Sequence, residues 1–86
     1  MNITNESMLI IFESIEVYQG LDLYNSEKFD KQVLSNYLLE LDKEGLINIH
    51  LKFVAQDGIL FFTNLSMTAN GEEKYKTLLN EVLSSV

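Results

Sequence analysis

Arginine, cysteine and proline are all missing from this 86-residue chain, and positive charge is scarce: six lysines stand against thirteen acidic residues, a formal net charge of −7. Without cysteine there are no disulfides, thiolate metal sites or thiol nucleophiles, and a disulfide-stapled secreted miniprotein is excluded. Without proline, and with no low-complexity stretch or internal repeat, nothing marks a linker, so residues 1–86 read as a single domain. No apolar run approaches the roughly 20 residues that span a bilayer. No basic segment followed by an apolar stretch marks an export signal, so a soluble cytoplasmic protein is expected. The missing arginine removes the commonest specific base contact, the fork to guanine. An acidic surface also repels phosphate backbones and anionic membranes over about 8–10 Å at ordinary salt. No membrane partner is expected, and nucleic acid is disfavoured.

What is present is apolar and patterned. Hydrophobic residues make up 47% of the chain, enough for a compact core in a small domain. Met8, Ile11, Phe12, Ile15 and Tyr18 recur at helical spacing, widened by Leu9, Ile10 and Val17, and predict a helix over 5–19 with Thr4 or Asn5 as cap and Gly20 as its stop. The alternation in Leu21 to Tyr24 suggests a short edge strand. A second stripe, Phe29, Val33, Leu34, Tyr37, Leu38 and Leu41, predicts a helix from Ser26 to the stop at Gly45. Ile47, Ile49, Leu51 and Phe53 alternate with Asn48, His50, Lys52 and Val54 as in a half-buried strand, and Gln56-Asp57-Gly58 supplies a tight turn. The return strand, residues 59–67, is apolar at nearly every early position, so it is covered on both faces or offers one to a partner. Thr68 caps a last helix of about 69–83, whose seam is Tyr75, Leu78, Leu79, Val82 and Leu83. The expectation is a small α+β domain, ordered α, short β, α, β, β, α, with its hairpin at about 47–67.

Helix, Gly45-Leu46-Ile47, strand, turn, strand, then Met67-Thr68-x-x-Gly71-x-x-x-Tyr75 resembles the winged helix-turn-helix superfamily, and in particular small winged-helix proteins of Gram-positive bacteria and their phages. The resemblance covers about residues 26–80. It implies a regulator-type fold, commonly dimeric, with residues 30–44 as recognition surface and residues 52–62 as wing. The homodimer seam it suggests, with the first and last helices paired across a two-fold axis, is Ile10, Val17, Tyr75, Leu79, Val82 and Leu83.

The chemistry of the polar residues points away from catalysis. His50 is the only histidine and has no serine or carboxylate at a telling spacing, so it lacks the orienting partner that base catalysis needs. Glu13 with Glu16, and Glu72 with Glu73, read as solvated helix faces without the His or Cys companions of a metal site. There is no glycine-rich phosphate loop. No enzyme, cofactor or metal is expected. Two function classes remain. In the first, a regulatory or protein-interaction module presents an acidic face (Asp30, Glu40, Asp42, Glu44) to a basic partner, as an inhibitor of a nucleic-acid-binding host protein would. In the second, a dimeric sequence-specific repressor concentrates Lys28, Lys31, Asn36, Lys43 and Lys52 on DNA.

Overall fold

A computed structural model describes residues 3–84, and within them the order is α1 (Asn5–Tyr18), α2 (Lys31–Lys43), β1 (Ile47–Val54), β2 (Leu60–Met67) and α3 (Ala69–Ser84). Three helices and one antiparallel hairpin thus make a small α+β fold, an order compatible with a winged-helix-like arrangement. The short strand expected at Leu21 to Tyr24 is not formed. Leu21, Leu23 and Asn25 donate their N–H groups to Tyr18, Gly20 and Asp22, three residues back, so this segment satisfies its backbone in successive tight turns rather than in a ladder. The same turns delay the second helix. It starts at Lys31, with Asp30 as the cap whose carboxylate accepts from the N–H of Gln32 and Val33. Ser26, the expected start, instead turns its hydroxyl back to the Leu23 carbonyl. A run of turns therefore links α1 to α2.

One apolar cluster joins every element: Ile11, Phe12 and Ile15 of α1, Leu23 of the turns, Leu34, Leu38 and Leu41 of α2, Ile47 of β1, Phe62 and Leu65 of β2, and Leu78 of α3. Phe12 is fully buried and meets the Tyr75 ring edge-on at 6.0 Å between centroids, which locks α3 against α1. Helix α2 ends as expected. Gly45 takes φ +75°, and Leu46 N–H reaches the Leu41 carbonyl while Gly45 N–H reaches Asp42, a Schellman motif.

The joint between this motif and α3 is tighter than the sequence suggests. Thr68 N–H donates to the Leu46 carbonyl at 3.1 Å, and the Thr68 hydroxyl donates to the Gly45 carbonyl at 2.6 Å. The same hydroxyl oxygen accepts the Gly71 N–H at 3.0 Å, so Thr68 caps α3 and clips it to the end of α2 at once. A Cβ on Gly71 would sit 1.9 Å from the Leu46 carbonyl oxygen. Gly71 is there to let two backbones touch.

The hairpin keeps one register, Ile47 opposite Met67 through Val54 opposite Leu60, yet its pleat does not alternate cleanly. Asn64 lies in the left-handed region at φ 55°, and Leu65 and Phe62, three residues apart, are both 1% exposed. A single left-handed residue shifts the phase of the strand, so that Phe62 before it and Leu65 after it both turn to the core. Of the nearly continuous apolar run of β2, Phe62 and Leu65 are hidden in this way, while Leu60 and Phe61 stay part-exposed.

The far edge of β2 is closed by other parts of the chain. Gln19, at φ 57° just past α1, offers its carbonyl to Leu65 N–H at 2.9 Å. Farther out, Phe62 N–H donates to Tyr24 Oη at 3.2 Å, and the Ser35 hydroxyl donates to the Leu60 carbonyl. The Ser35 proton is thereby used, so Tyr24 is the donor in the 2.7 Å bond between the two hydroxyls. The strap runs from one backbone group of β2, through two side chains, to another. Because Ser35 is 1% exposed, breaking the strap leaves buried polar groups unmatched at a cost of about 1–3 kcal/mol.

Candidate functional site

The four carboxylates of the expected acidic face do not share one surface. Asp30 is occupied as the α2 cap, whereas Asp42 lies about 18 Å farther along the axis at 1.5 Å per residue. Glu40, Asp42 and Glu44 gather instead around the C-terminal end of α2, with Asp42 and Glu44 exposed. The exposed side of the helix is otherwise of mixed character: Gln32, Val33, Leu39 and Lys43 all reach solvent.

The expected DNA contacts are dispersed. Lys31, at the start of α2, places Nζ 5.8 Å from the centroid of the Phe61 ring. Lys43 sits a helix length away at the other end, and Lys28 lines a cleft against α1. Asn36 accepts a hydrogen bond from Gln32 on its own helix, and Lys52 is exposed on β1.

The expected dimer seam divides at Glu13. On one side, Ile10 and Val17 line a cleft of about 210 Å3 together with Glu13, Ser14, Asp22 and Lys28. Its polar floor is self-satisfied, because the buried Ser14 hydroxyl donates to the Asp22 carboxylate. Ligand pockets run to about 300–1,000 Å3, so this cleft is small for one. On the other side, Tyr75 packs on Phe12, and Leu79, Val82 and Leu83 follow toward the end of α3 at 39, 47 and 71% exposure.

Acidic groups of α1 and α3 meet beside Tyr75. A side-chain hydrogen bond with Glu72 raises the pKa of Glu16 above the ordinary glutamate range, with desolvation and the Glu72 charge adding in the same direction. Burial raises the Tyr75 hydroxyl, and the Glu13 and Glu16 carboxylates push it further. A glutamate whose folded-state pKa is raised holds its proton more tightly in the folded chain. The stabilisation is present below the ordinary glutamate pKa and is lost as pH rises through the raised value. Glu72→Gln is therefore expected to stabilise the fold at pH 7, by less than about 1 kcal/mol at so exposed a site, and so to raise its melting temperature there. Thermal scans should show that advantage disappear in acid. An equal effect at both pH values would remove Glu72 as the cause.

His50 is exposed, and its Nε2 lies 3.0 Å from the Ser66 hydroxyl on the neighbouring strand, a surface contact without a carboxylate behind it. Among the described residues no group of three or more histidines and carboxylates is placed to hold a metal ion. No helix among them is long and apolar enough to cross a membrane.

The outer half of the hairpin, expected as a wing whose return strand is covered or offers a face to a partner, leaves its β1 side chains open to solvent. Leu51, Phe53 and Val54 are 54, 53 and 65% exposed. Phe53 stacks on Phe61, its partner in register, with centroids 5.3 Å apart and planes 13° from parallel. Phe61 is held from behind by Tyr24 at 4.7 Å. The alternation of β1 could have revealed this surface, because the apolar positions Leu51 and Phe53 extend past the reach of the helices.

No protein-family model, curated protein or solved structure matches this chain.

Proposed function

We propose that the chain is a non-enzymatic interaction module on a winged-helix-like scaffold, whose acidic surface binds a basic protein partner. Occupying the DNA-binding surface of a nucleic-acid-binding protein, as a phage or mobile-element regulator would, suits this charge. The observation that carries the reading is the acid at the C-terminal end of α2, where Glu40 and Glu44 stand one turn apart and Asp42 stands on the other side of the helix. The last carbonyls of a helix already carry partial negative charge, and carboxylates there oppose the helix dipole. Only Lys43 offsets them within the last turn. Like charges held against local helix preference surround the end of the helix with negative potential suited to lysine- and arginine-rich surfaces. The same acid at the end of the helix expected to read DNA repels phosphate.

The test pairs two probes. A deca-arginine peptide should bind with an affinity that falls steeply with salt, whereas a duplex of mixed sequence should give no gel shift at ~10 µM protein in low salt. Because any acidic protein attracts such a peptide, two variants of equal charge decide the site. Glu40→Gln, Asp42→Asn and Glu44→Gln together should weaken peptide binding about tenfold, and Glu72→Gln, Glu73→Gln and Glu81→Gln together about twofold. Equal losses would show that the end of α2 is not the site. A salt-sensitive shift with DNA would favour the repressor.

A further inference from the structure

We propose that the outer hairpin packs its aromatic face against the same face of a second copy of this chain, side chain to side chain, in a weak two-fold dimer. This surface is neither the α1–α3 seam nor the acidic end of α2. Three observations lead to it.

The first is where the pleat turns its side chains. Residues 51–54 pair without interruption with residues 63–60, and strand residues alternate between faces. Phe62 is buried, so Leu51, Phe53, Phe61 and Thr63 share the face opposite it. On that face Leu51 and Phe53 are each more than half open to solvent. The Phe53 and Phe61 rings lie 13° from parallel, which makes one flat aromatic platform with Leu51 beside it. Tyr24 holds Phe61 in place at 4.7 Å, so the platform is set before any partner arrives.

The second is charge. Residues 47–67 contain one lysine and one aspartate besides His50, a formal charge of zero in a chain of −7. None of the four side chains on the face is charged, and the ion held against the stack is Lys31, with Nζ 5.8 Å from the Phe61 centroid. A basic partner finds no carboxylate among these four side chains. A phosphate-bearing partner is repelled by the rest of the chain. A second copy carries that same −7, and this face is where it can approach without setting carboxylate against carboxylate.

The third is self-complementarity against area. A two-fold axis brings a patch onto itself, which a neutral apolar patch tolerates and a charged one does not. Sheets packed face to face lie about 10 Å apart with their side chains interdigitated, and aromatic rings there meet offset or edge to face. Four side chains per copy cover less than the roughly 800 Å2 per partner of a standard interface. The dimer is accordingly weak, with a dissociation constant on the order of 100 µM.

Such a contact has a salt signature of its own. Raising the ionic strength from 0.1 to 1 M shortens the Debye length from about 10 to about 3 Å, which screens the repulsion between two bodies of −7 and leaves the apolar contact intact. Dimerisation should therefore strengthen with salt, whereas binding of a basic peptide to the end of α2 weakens.

Sedimentation equilibrium of the full chain up to ~500 µM, in 0.1 and 1 M sodium chloride, reads both properties. The protein should pass from monomer to dimer, at least about threefold more tightly in the higher salt. Three variants add the same single charge at exposed positions. Leu51→Glu, on the proposed face, should weaken dimerisation at least about tenfold with an unchanged far-ultraviolet spectrum. Val54→Glu, on the same strand but the other face, and Leu83→Glu on α3 should each change it by less than about threefold. A strict monomer at ~500 µM in both salts, or a dimer that weakens as salt rises, would overturn the proposal. So would equal losses from Leu51→Glu and Val54→Glu, or a dimer lost with Leu83→Glu and kept with Leu51→Glu.

Discussion

Gly71→Ala is expected to destabilise the fold by about 3 kcal/mol or more, the upper range for overpacking and beyond what volume alone would cost. The added methyl would lie 1.9 Å from the Leu46 carbonyl oxygen, a backbone atom that no rotamer change moves aside. Relief requires α3 to lift away from the end of α2. That movement strains the Thr68 N–H bond to Leu46 and the hydroxyl bond to Gly45, and with them the cap of α3. In a domain of this size the loss is roughly 12–24 °C in melting temperature, a large part of the 5–15 kcal/mol that such domains possess. Gly58→Ala serves as the contrast. Gly58 has φ +85° with nothing within 4 Å of its would-be Cβ, so the change costs only the left-handed backbone preference, about 1–2 kcal/mol. Urea titrations of the two variants would test the difference. If Gly71→Ala proved the milder, the close contact of α3 with Leu46 would be wrong.

Phe62→Ala is expected to cost about 3–5 kcal/mol, the range for deleting a fully buried aromatic ring. This distinguishes the observed strand from the simple one. Strict alternation from Ile47 and Ile49, opposite Met67 and Leu65, would put Phe61 and Thr63 on the core face and Phe62 outside. With Asn64 at φ 55°, Phe62 is inside at 1% exposure. Thr63→Ala should therefore cost no more than about 1 kcal/mol. Substitutions at Asn64 itself should separate by backbone alone. Glycine accepts a positive φ and should be close to neutral, whereas valine, β-branched and poor in that region, should cost at least about 1–2 kcal/mol. Denaturant midpoints with unchanged slopes would measure this series. A mild Phe62→Ala beside a severe Thr63→Ala would mean that the pleat alternates after all.

These two positions also mark how far the sequence could be read. Repeating signals were legible: the stripes of α1 and α2, the Gly45 stop, the Asp57-Gly58 turn and the Thr68 cap all depend on neighbours within four residues. Features depending on distant partners were not. The spacing of Leu21 and Leu23 imitates a strand, but the carbonyls of Gly20 and Asp22 were nearer acceptors than any ladder. Ser26 looks like a cap, yet Asp30 fills that role once the turns have used the intervening chain. The union of Tyr24 with Ser35 spans eleven residues and carries no pattern. The carboxylates expected as a face were visible as a charge excess, but their separation along α2 follows from where the helix begins.

The strap from Tyr24 to Ser35, with the Gln19 carbonyl beside it, has a consequence for the size of any assembly. A sheet with two open sides is a bifunctional monomer and can propagate into fibres. Here one side is blocked from within the same chain, which leaves the hairpin, among the described residues, at most one free edge. A sheet closed on one side cannot extend edge to edge in both directions, which allows an apolar strand to stay exposed without condemning the protein to polymerise.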